Sequence, residues 1–412
     1  MDTVEIRVER LLADLAALAA VGGTGDGGNC RLALTDEDAG GRELVVGWMR
    51  DLGLDVRVDR IGNVVATRRG ADPGLPAVMT GSHIDTVRTG GRYDGTLGVL
   101  AGLEVVRALD DAGVRTRHPL AVAFFTDEEG SRFAPDMLGS LVYAGGLDLE
   151  TALGTVGFDG AILGDELRRI GWAGEAPVPG PAPHAYVELH IEQGPVLEEA
   201  GVTIGAVTGV QGIHWDELTI TGQSNHAGTT PMRLRHDAGY VAAAVAVAVR
   251  RIVAETGAPA VGTVGRIRLH PDLVNVVAAT ATLTIDLRHT DADTLAGLEA
   301  EIAAAVADIA RAEGVTVERR SLARFDPVAF DPNIVDAVEA AARRRGHDVR
   351  RMPSGAGHDA QMIARMCPAG MVFVPSVQGI SHNPAEHTDP SDLAAGAQVL
   401  ADVLLELAGR AG

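Results

Sequence analysis

The stretch Leu75–Val87 reads LPAVMTGSHIDTV. Its first part, Leu75–Thr80, has the length and apolar character of a buried strand, and it ends abruptly in polar residues. Three other stretches share this form. Leu120–Thr126 runs into DEEGSRF, Ala185–Leu189 into HIEQG, and Met371–Val374 into PSVQGISHNPAEHT. Helical segments lie between them, for example Gly95–Leu109. Strands alternating with helices predict an α/β sheet. Such sheets bind ligands in the crevice beyond the carboxyl ends of their strands, and that is where these four stretches place their polar residues.

Residues 212–325 follow a different order. A strand over Trp215–Thr221 is followed by a helix from about Arg235 to Glu255. Strands then follow over Val261–Leu269 and Ala279–Arg288, with a helix over Ala292–Glu313 and a strand over Val315–Arg320. This βαββαβ order is that of a ferredoxin-like domain. The expected organisation is a discontinuous catalytic domain, residues 1–211 and 326–412, carrying an inserted domain at 212–325. The segment APVPGPAP, Ala176–Pro183, reads as a stiff surface connection.

A chain of 412 residues suggests two domains, and 46% hydrophobic residues supply a core for each. Aromatics are only 3%, so Ala, Val and Leu must do the packing. The net charge of −21, with no cluster of basic residues interleaved with aromatics, argues against a nucleic-acid partner. Cys30 and Cys367 form no CxxC pair, which fits reduced thiols and a cytoplasmic location. The first twenty residues read as an amphipathic helix rather than a signal peptide. The apolar helical run Val241–Val249 is well short of the roughly 20 residues a membrane span needs.

His83, Asp94, Glu129, His190 and His382 are the candidate metal ligands. Imidazole and carboxylate suit zinc, manganese or cobalt, and a carboxylate such as Asp94 can bridge two ions. Taken singly, each residue has a plainer reading. A lone histidine is usually structural, Asp94 before Gly95 is a ready helix N-cap, and Glu128 and Glu129 lie in an acidic run. Their joint placement at one edge of one sheet outweighs those readings. Asp85 lies on the same side of an extended segment as His83 and is expected to fix the His83 tautomer.

Eight motifs occur in order: GSHIDTV, GGRYDGTLGV, TDEEGSRF, HIEQG, GQSNHAGTTPM, VNVV…DLRH, GAGHDA and GISHNPAEHT. Together they resemble the carbamoylase branch of the di-zinc aminoacylase and carboxypeptidase-like superfamily. That branch holds N-carbamoyl-L-amino acid hydrolases, β-ureidopropionases and allantoate amidohydrolases. The resemblance implies a di-metal aminopeptidase-like catalytic domain whose inserted domain serves as lid and dimerisation unit. It also implies a homodimer and two divalent ions per subunit. His83 and Glu129 match terminal ligands, Asp94 the bridging carboxylate, and His190 and His382 the remaining histidines. His387, in the same stretch as His382, is the competing ligand. Glu128 matches the general base. His226 matches a histidine that reaches the site from a partner's lid and steadies the oxyanion. Gln193, Asn275 and Arg288 match substrate-holding positions, with Arg288 gripping a carboxylate through its planar fork. Gly357, with Gly355, offers backbone near the substrate, while His358 has no role that spacing assigns.

The reaction so implied removes the carbamoyl group of an N-carbamoyl-L-amino acid, giving the free amino acid, ammonia and carbon dioxide. Allantoate and β-ureido acids are the alternatives, because each also joins a ureido group to a carboxylate. A metal-dependent dipeptidase is a more distant one, disfavoured by HIEQG.

Overall fold

A computed structural model describes residues 4–411. The strands are β1 (Asp55–Val58), β2 (Val64–Arg68), β3 (Val78–His83), β4 (Leu120–Phe125), β5 (Ala185–Ile191), β6 (Ile204–Val210), β7 (Gly212–Thr221), β8 (Val261–His270), β9 (Thr280–His289), β10 (Thr316–Phe325), β11 (Val328–Ala329), β12 (Val349–Ser354) and β13 (Ala369–Val374). The chain divides into two compact units. One runs up to Gly209 and resumes at Ala329, and the other is Val210–Val328.

The larger unit is built on a mixed sheet of order β1-β2-β4-β3-β5-β13-β6-β11, with β12 paired to β6. Its centre is parallel, β4, β3, β5 and β13 running the same way. Every residue of these four strands is buried, so both faces are covered, as parallel sheets require. Helix Thr96–Asp111 packs on β3 and β5, and helix Pro390–Ala408 on β13 and β5. The buried faces are largely Ala, Val and Leu.

Boundaries shift from the sequence reading for identifiable reasons. The first deciding strand begins at Val78, not Leu75, because Pro76 has no N–H to give a ladder. It then continues through GSH, so His83 is its last residue rather than part of a loop. The amphipathic N-terminal helix is Val8–Ala20; residues 1–3 of that expectation lie outside the described residues. Among the described residues no helix is long and apolar enough to cross a membrane, and Val241–Val249 lies within helix Ala238–Thr256.

The smaller unit is a four-stranded antiparallel sheet of order β10-β7-β9-β8. Buried and partly exposed residues alternate along β9 and most of β7, the pattern of a sheet covered on one face. Helices Ala238–Thr256 and Ala292–Glu313 form a separate core with that face, around Val245, Leu283 and Leu298. Asp237 and Asp291 cap the two helices by accepting backbone N–H bonds. The Asp237 cap starts the first helix at Ala238 rather than near Arg235. β10 extends past Arg320 to Phe325, pairing with β7 along its length across a bulge at Ser321 and Ala323.

Buried ionic contacts hold the loops behind the sheet edge. Arg42 donates to Asp38 Oδ2 at 2.8 Å, to the Gly62 carbonyl at 2.7 Å and to Thr126 Oγ1 at 3.1 Å. Both charged side chains are buried. Removing one member of such a pair strands the other in low dielectric, at a cost of about 3–5 kcal/mol. Arg42→Ala is therefore expected to lower the unfolding free energy measured by urea denaturation by about 3–5 kcal/mol. An unfolding free energy within about 1 kcal/mol of the parent would show that the pair contributes no more than a surface contact.

Candidate metal centre

His83 closes β3 and His190 lies in the neighbouring parallel strand β5. Each imidazole has Nδ1 2.9 Å from a backbone carbonyl, that of Asp85 for His83 and of Ile191 for His190. A carbonyl only accepts, so each Nδ1 carries a proton and Nε2 is the nitrogen that faces the carboxylates; protonated it donates to them, deprotonated it presents a lone pair to a cation. The His83 Nε2 lies 3.5 Å from Asp94 Oδ1 and 3.4 Å from Glu128 Oε2. The His190 Nε2 lies 3.2 Å from Asp94 Oδ1.

Asp94 turns its other oxygen to a different partner. Its Oδ2 lies 3.3 Å from His382 Nε2, which is also 3.3 Å from Glu129 Oε2. Two groups of potential ligand atoms therefore share Asp94. One is His83, Asp94 and His190; the other is Asp94, Glu129 and His382. Atoms within each group lie within 4.8 Å of one another. Asp94 does not act as a helix N-cap: Gly95 holds that position at φ 64° with no side-chain cap. A Cβ at Gly95 would collide with the His83 ring, so glycine here permits both the turn and the histidine's close approach.

Glu188, His190 and His358 form a third such group, but its atoms are already engaged. Glu188 accepts from Ser82 Oγ at 2.6 Å and from the Ala360 N–H at 2.8 Å. The His358 Nε2 lies 2.8 Å from Ser354 Oγ, which gives His358 a structural hydrogen bond. His387 faces Asp389 at 3.3 Å and belongs to none of the three groups.

Asp85 departs from expectation. The group nearest His83 Nδ1 is its carbonyl; its carboxylate is 3.9 Å away. That carboxylate instead accepts the backbone N–H groups of Glu128 and Glu129, each at 3.3 Å. The aspartate fixes the tautomer through its backbone and holds the Glu128–Glu129 turn with its side chain.

Electrostatics at the site are set by burial. Burial first, then the charges of Asp359, Glu129 and Asp94, push the Glu128 carboxyl well above its usual range despite His83. Burial also raises Asp94, but hydrogen bonds from His190, His382 and His83 outweigh it and hold Asp94 well below. Bonds to Asp94 and Glu129 lift His382 to about 10. This cluster draws positive charge onto its histidines, and lone-pair nitrogens beside carboxylate oxygens are the donor set that a zinc-, manganese- or cobalt-type ion takes. The residues therefore fit divalent metal.

Other expected site residues fall in two places. Gln193 donates Nε2 to Asp94 Oδ2 at 2.8 Å, and its Oε1 is buried without a hydrogen-bond partner. Gly357 packs against Met137, whose sulfur would lie 3.1 Å from a Cβ there. His226, Asn275 and Arg288 belong to the smaller unit. The His226 Nδ1 accepts N–H bonds from Gly228 at 3.0 Å and Thr229 at 3.2 Å, which leaves its proton on Nε2. The Asn275 carbonyl accepts from the Ala227 N–H at 2.9 Å, so the two exposed loops are zipped side by side. Arg288 donates to Asp286 from Nε at 3.1 Å and Nη2 at 3.0 Å.

Sequence reading overlooked two residues, Ser381 and Glu386, that touch Asp94. Glu386 Oε1 accepts the Asp94 N–H at 3.2 Å, and the Ser381 hydroxyl lies 3.3 Å from Asp94 Oδ2. Both lie in the SHNPAEHT stretch already marked for its histidines, where nothing in the sequence separates this acid from a solvated one.

The chain matches the model of peptidase family M20/M25/M40 over residues 79–406. It is 43% identical to an N-carbamoyl-L-amino-acid amidohydrolase of Rhizobium meliloti, covering 98% of this chain and 97% of that one. An enzyme named likewise from Geobacillus stearothermophilus is 40% identical, with 98% and 99% covered. A crystal structure of an amidase of the hydantoinase/carbamoylase family from Burkholderia multivorans superposes with a TM-score of 0.94 at 46% identity, covering 98% of each chain. With a family match across most of its length and relatives of this similarity end to end, the chain belongs to peptidase family M20/M25/M40.

Proposed function

We propose that this chain is a metal-dependent amidohydrolase that removes the carbamoyl group of N-carbamoyl-L-amino acids. The observation that carries the reading is Asp94, whose two oxygens face two separate ligand groups. His83, Asp94 and His190 would hold one divalent cation, and Asp94, Glu129 and His382 a second. Such ions supply the positive charge that makes a water molecule acidic near neutral pH and polarises a carbonyl.

The remaining chemistry falls to the protein. Glu128, buried beside His83, takes the proton from the attacking water and returns it to the leaving nitrogen. His226 carries its proton on Nε2, the form that donates a hydrogen bond to the developing oxyanion. Gln193 Oε1, a buried acceptor without a partner among the described residues, receives a substrate N–H. Arg288 holds the substrate carboxylate by two parallel bonds in exchange for Asp286, while Asn275 and the Gly357 backbone complete the cradle. Addition of water and cleavage of the C–N bond give the amino acid and carbamic acid, which breaks down to ammonia and carbon dioxide.

In this reading residues 212–325 form a ferredoxin-like lid and dimerisation domain, and residues 1–211 and 326–412 form the catalytic domain. The βαββαβ order and the sheet order β10-β7-β9-β8 support the ferredoxin-like assignment. The functional form is a homodimer in which His226 comes from the partner.

After loading with zinc, manganese or cobalt, ammonia release is measured on N-carbamoyl-L-amino acids, N-carbamoyl-β-alanine and allantoate in parallel. Fastest release is expected from the first. Faster turnover of either other compound would replace the substrate assignment, and silence from all three would overturn the reaction. Glu128→Gln is expected to keep its metals and lose at least ~100-fold in kcat; wild-type turnover would remove Glu128 as the base. Arg288→Ala is expected to raise KM at least ~10-fold with a smaller change in kcat. An unchanged KM would place the carboxylate on another group.

A further inference from the structure

Glu386 is 5% exposed, though it lies in a polar loop of Asn, Pro and His residues. Its Oε1 accepts the backbone N–H groups of Tyr93 at 2.9 Å and Asp94 at 3.2 Å. Its Oε2 lies 2.9 Å from the hydroxyl of Ser381, the residue before His382. One carboxylate thus joins the backbone that carries the shared aspartate to the loop that carries a ligand of only one group.

The surroundings make room for this contact. A Cβ at Gly91 would overlap the Glu386 carboxylate, so the glycine leaves the space the acid fills. The Ser381 hydroxyl also lies 3.3 Å from Asp94 Oδ2, the oxygen that faces His382. Gln193 Nε2 reaches the same oxygen at 2.8 Å and Ser381 Oγ at 3.4 Å. Asp94 is therefore held twice, by its main chain through Glu386 and by its side chain through Ser381 and Gln193.

Resting on the metal reading above, we infer that Glu386 is a positioning residue. It locks the Asp94 backbone to the His382 loop and thereby sets the spacing of the two cation positions. Neither position keeps its geometry if the two segments move apart, but the Asp94–Glu129–His382 position loses more, because two of its three ligands sit on the joined segments. Groups that orient ligands in this way typically contribute about 10–100-fold to metal affinity.

The test is calorimetric titration of the metal-free full chain with zinc, alongside circular dichroism of each variant. The parent is expected to bind two ions. Glu386→Ala is expected to weaken the second binding event at least ~10-fold with its secondary structure intact. Glu386→Gln should stay near the parent: its amide oxygen still accepts both N–H groups, and its NH2 donates to Ser381 Oγ. Gly91→Ala, which expels the carboxylate without removing it, should reproduce the alanine variant. A folded Glu386→Ala that binds two zinc ions with parental affinity would overturn the inference. So would a Glu386→Gln as weak as the alanine variant, because that would make charge rather than geometry the cause. If Glu386→Ala does not fold, parental affinity in both Gly91→Ala and Ser381→Ala overturns it. A parent that binds no zinc would fail the metal reading itself, an outcome distinct from two bound ions unaffected by Glu386.

Discussion

Carboxylates crowd together out of water at one edge of the sheet. Asp85, Asp94 and Glu128 are all buried, and the Glu129 side chain is only 6% exposed. Like charges at this depth repel strongly and lack water to screen them. The protein answers in two ways. It surrounds Asp94 with three imidazoles, which hold that acid ionised against the cost of burial. It also leaves their Nε2 atoms directed at carboxylate oxygens, an arrangement that is comfortable only with positive charge between them. Much of the nearby architecture follows from that requirement, including the turn at Gly95 and the two Nδ1–carbonyl bonds that fix the rings.

Behind the edge, buried arginines continue the pattern. Arg31 is buried and donates to the carbonyls of Ile84 at 2.7 Å and Leu18 at 3.0 Å. Burial lowers it to about 10, against the opposing charges of Asp38 and Asp85. Asp38 in turn pairs with Arg42, which reaches Thr126 just before the acidic turn. The scaffold thus binds its loops with ionic contacts where a sequence with few aromatics has little large apolar surface to offer. The smaller unit uses the opposite strategy. Its core is aliphatic, and His226 and Asn275 stand on exposed loops zipped by backbone bonds.

Much of this was legible in the sequence because the deciding strands are buried on both faces. Such strands read as continuous apolar runs, and the change to polar residues marks their carboxyl ends. His83, Glu129 and His190 stand out for that reason. Helix Ala292–Glu313 was readable to the residue because an aspartate cap precedes it and a glycine follows it. Other parts carried weaker signals. Helix Asp36–Asp51 includes an internal Gly-Gly and buries Asp38 and Arg42, so its apolar periodicity is blurred. The β1–β2 pair consists of two short strands at the edge of the sheet. Glu386 had no periodic signal at all. Its meaning depends on Tyr93 and Ser381 becoming neighbours, which only the folded chain provides.

Asp85 shows how spacing can find the residue and miss the atom that acts. Two residues beyond His83 in an extended segment, its side chain was expected beside the ring. The backbone carbonyl of the same residue reaches Nδ1 first, which removes any need for the carboxylate there. Freed from the ring, the carboxylate turns to the N–H groups of Glu128 and Glu129. Those donors sit in a tight turn opened by Asp127 at φ 57°, a conformation that L residues rarely adopt, and the acceptor stabilises that turn. One aspartate therefore links the orientation of the His83 imidazole to the placement of Glu128 and Glu129 beyond the adjacent strand. The coupling runs through the main chain at one end and the side chain at the other. A substitution that spares the backbone would release the acidic turn while leaving the His83 tautomer in place.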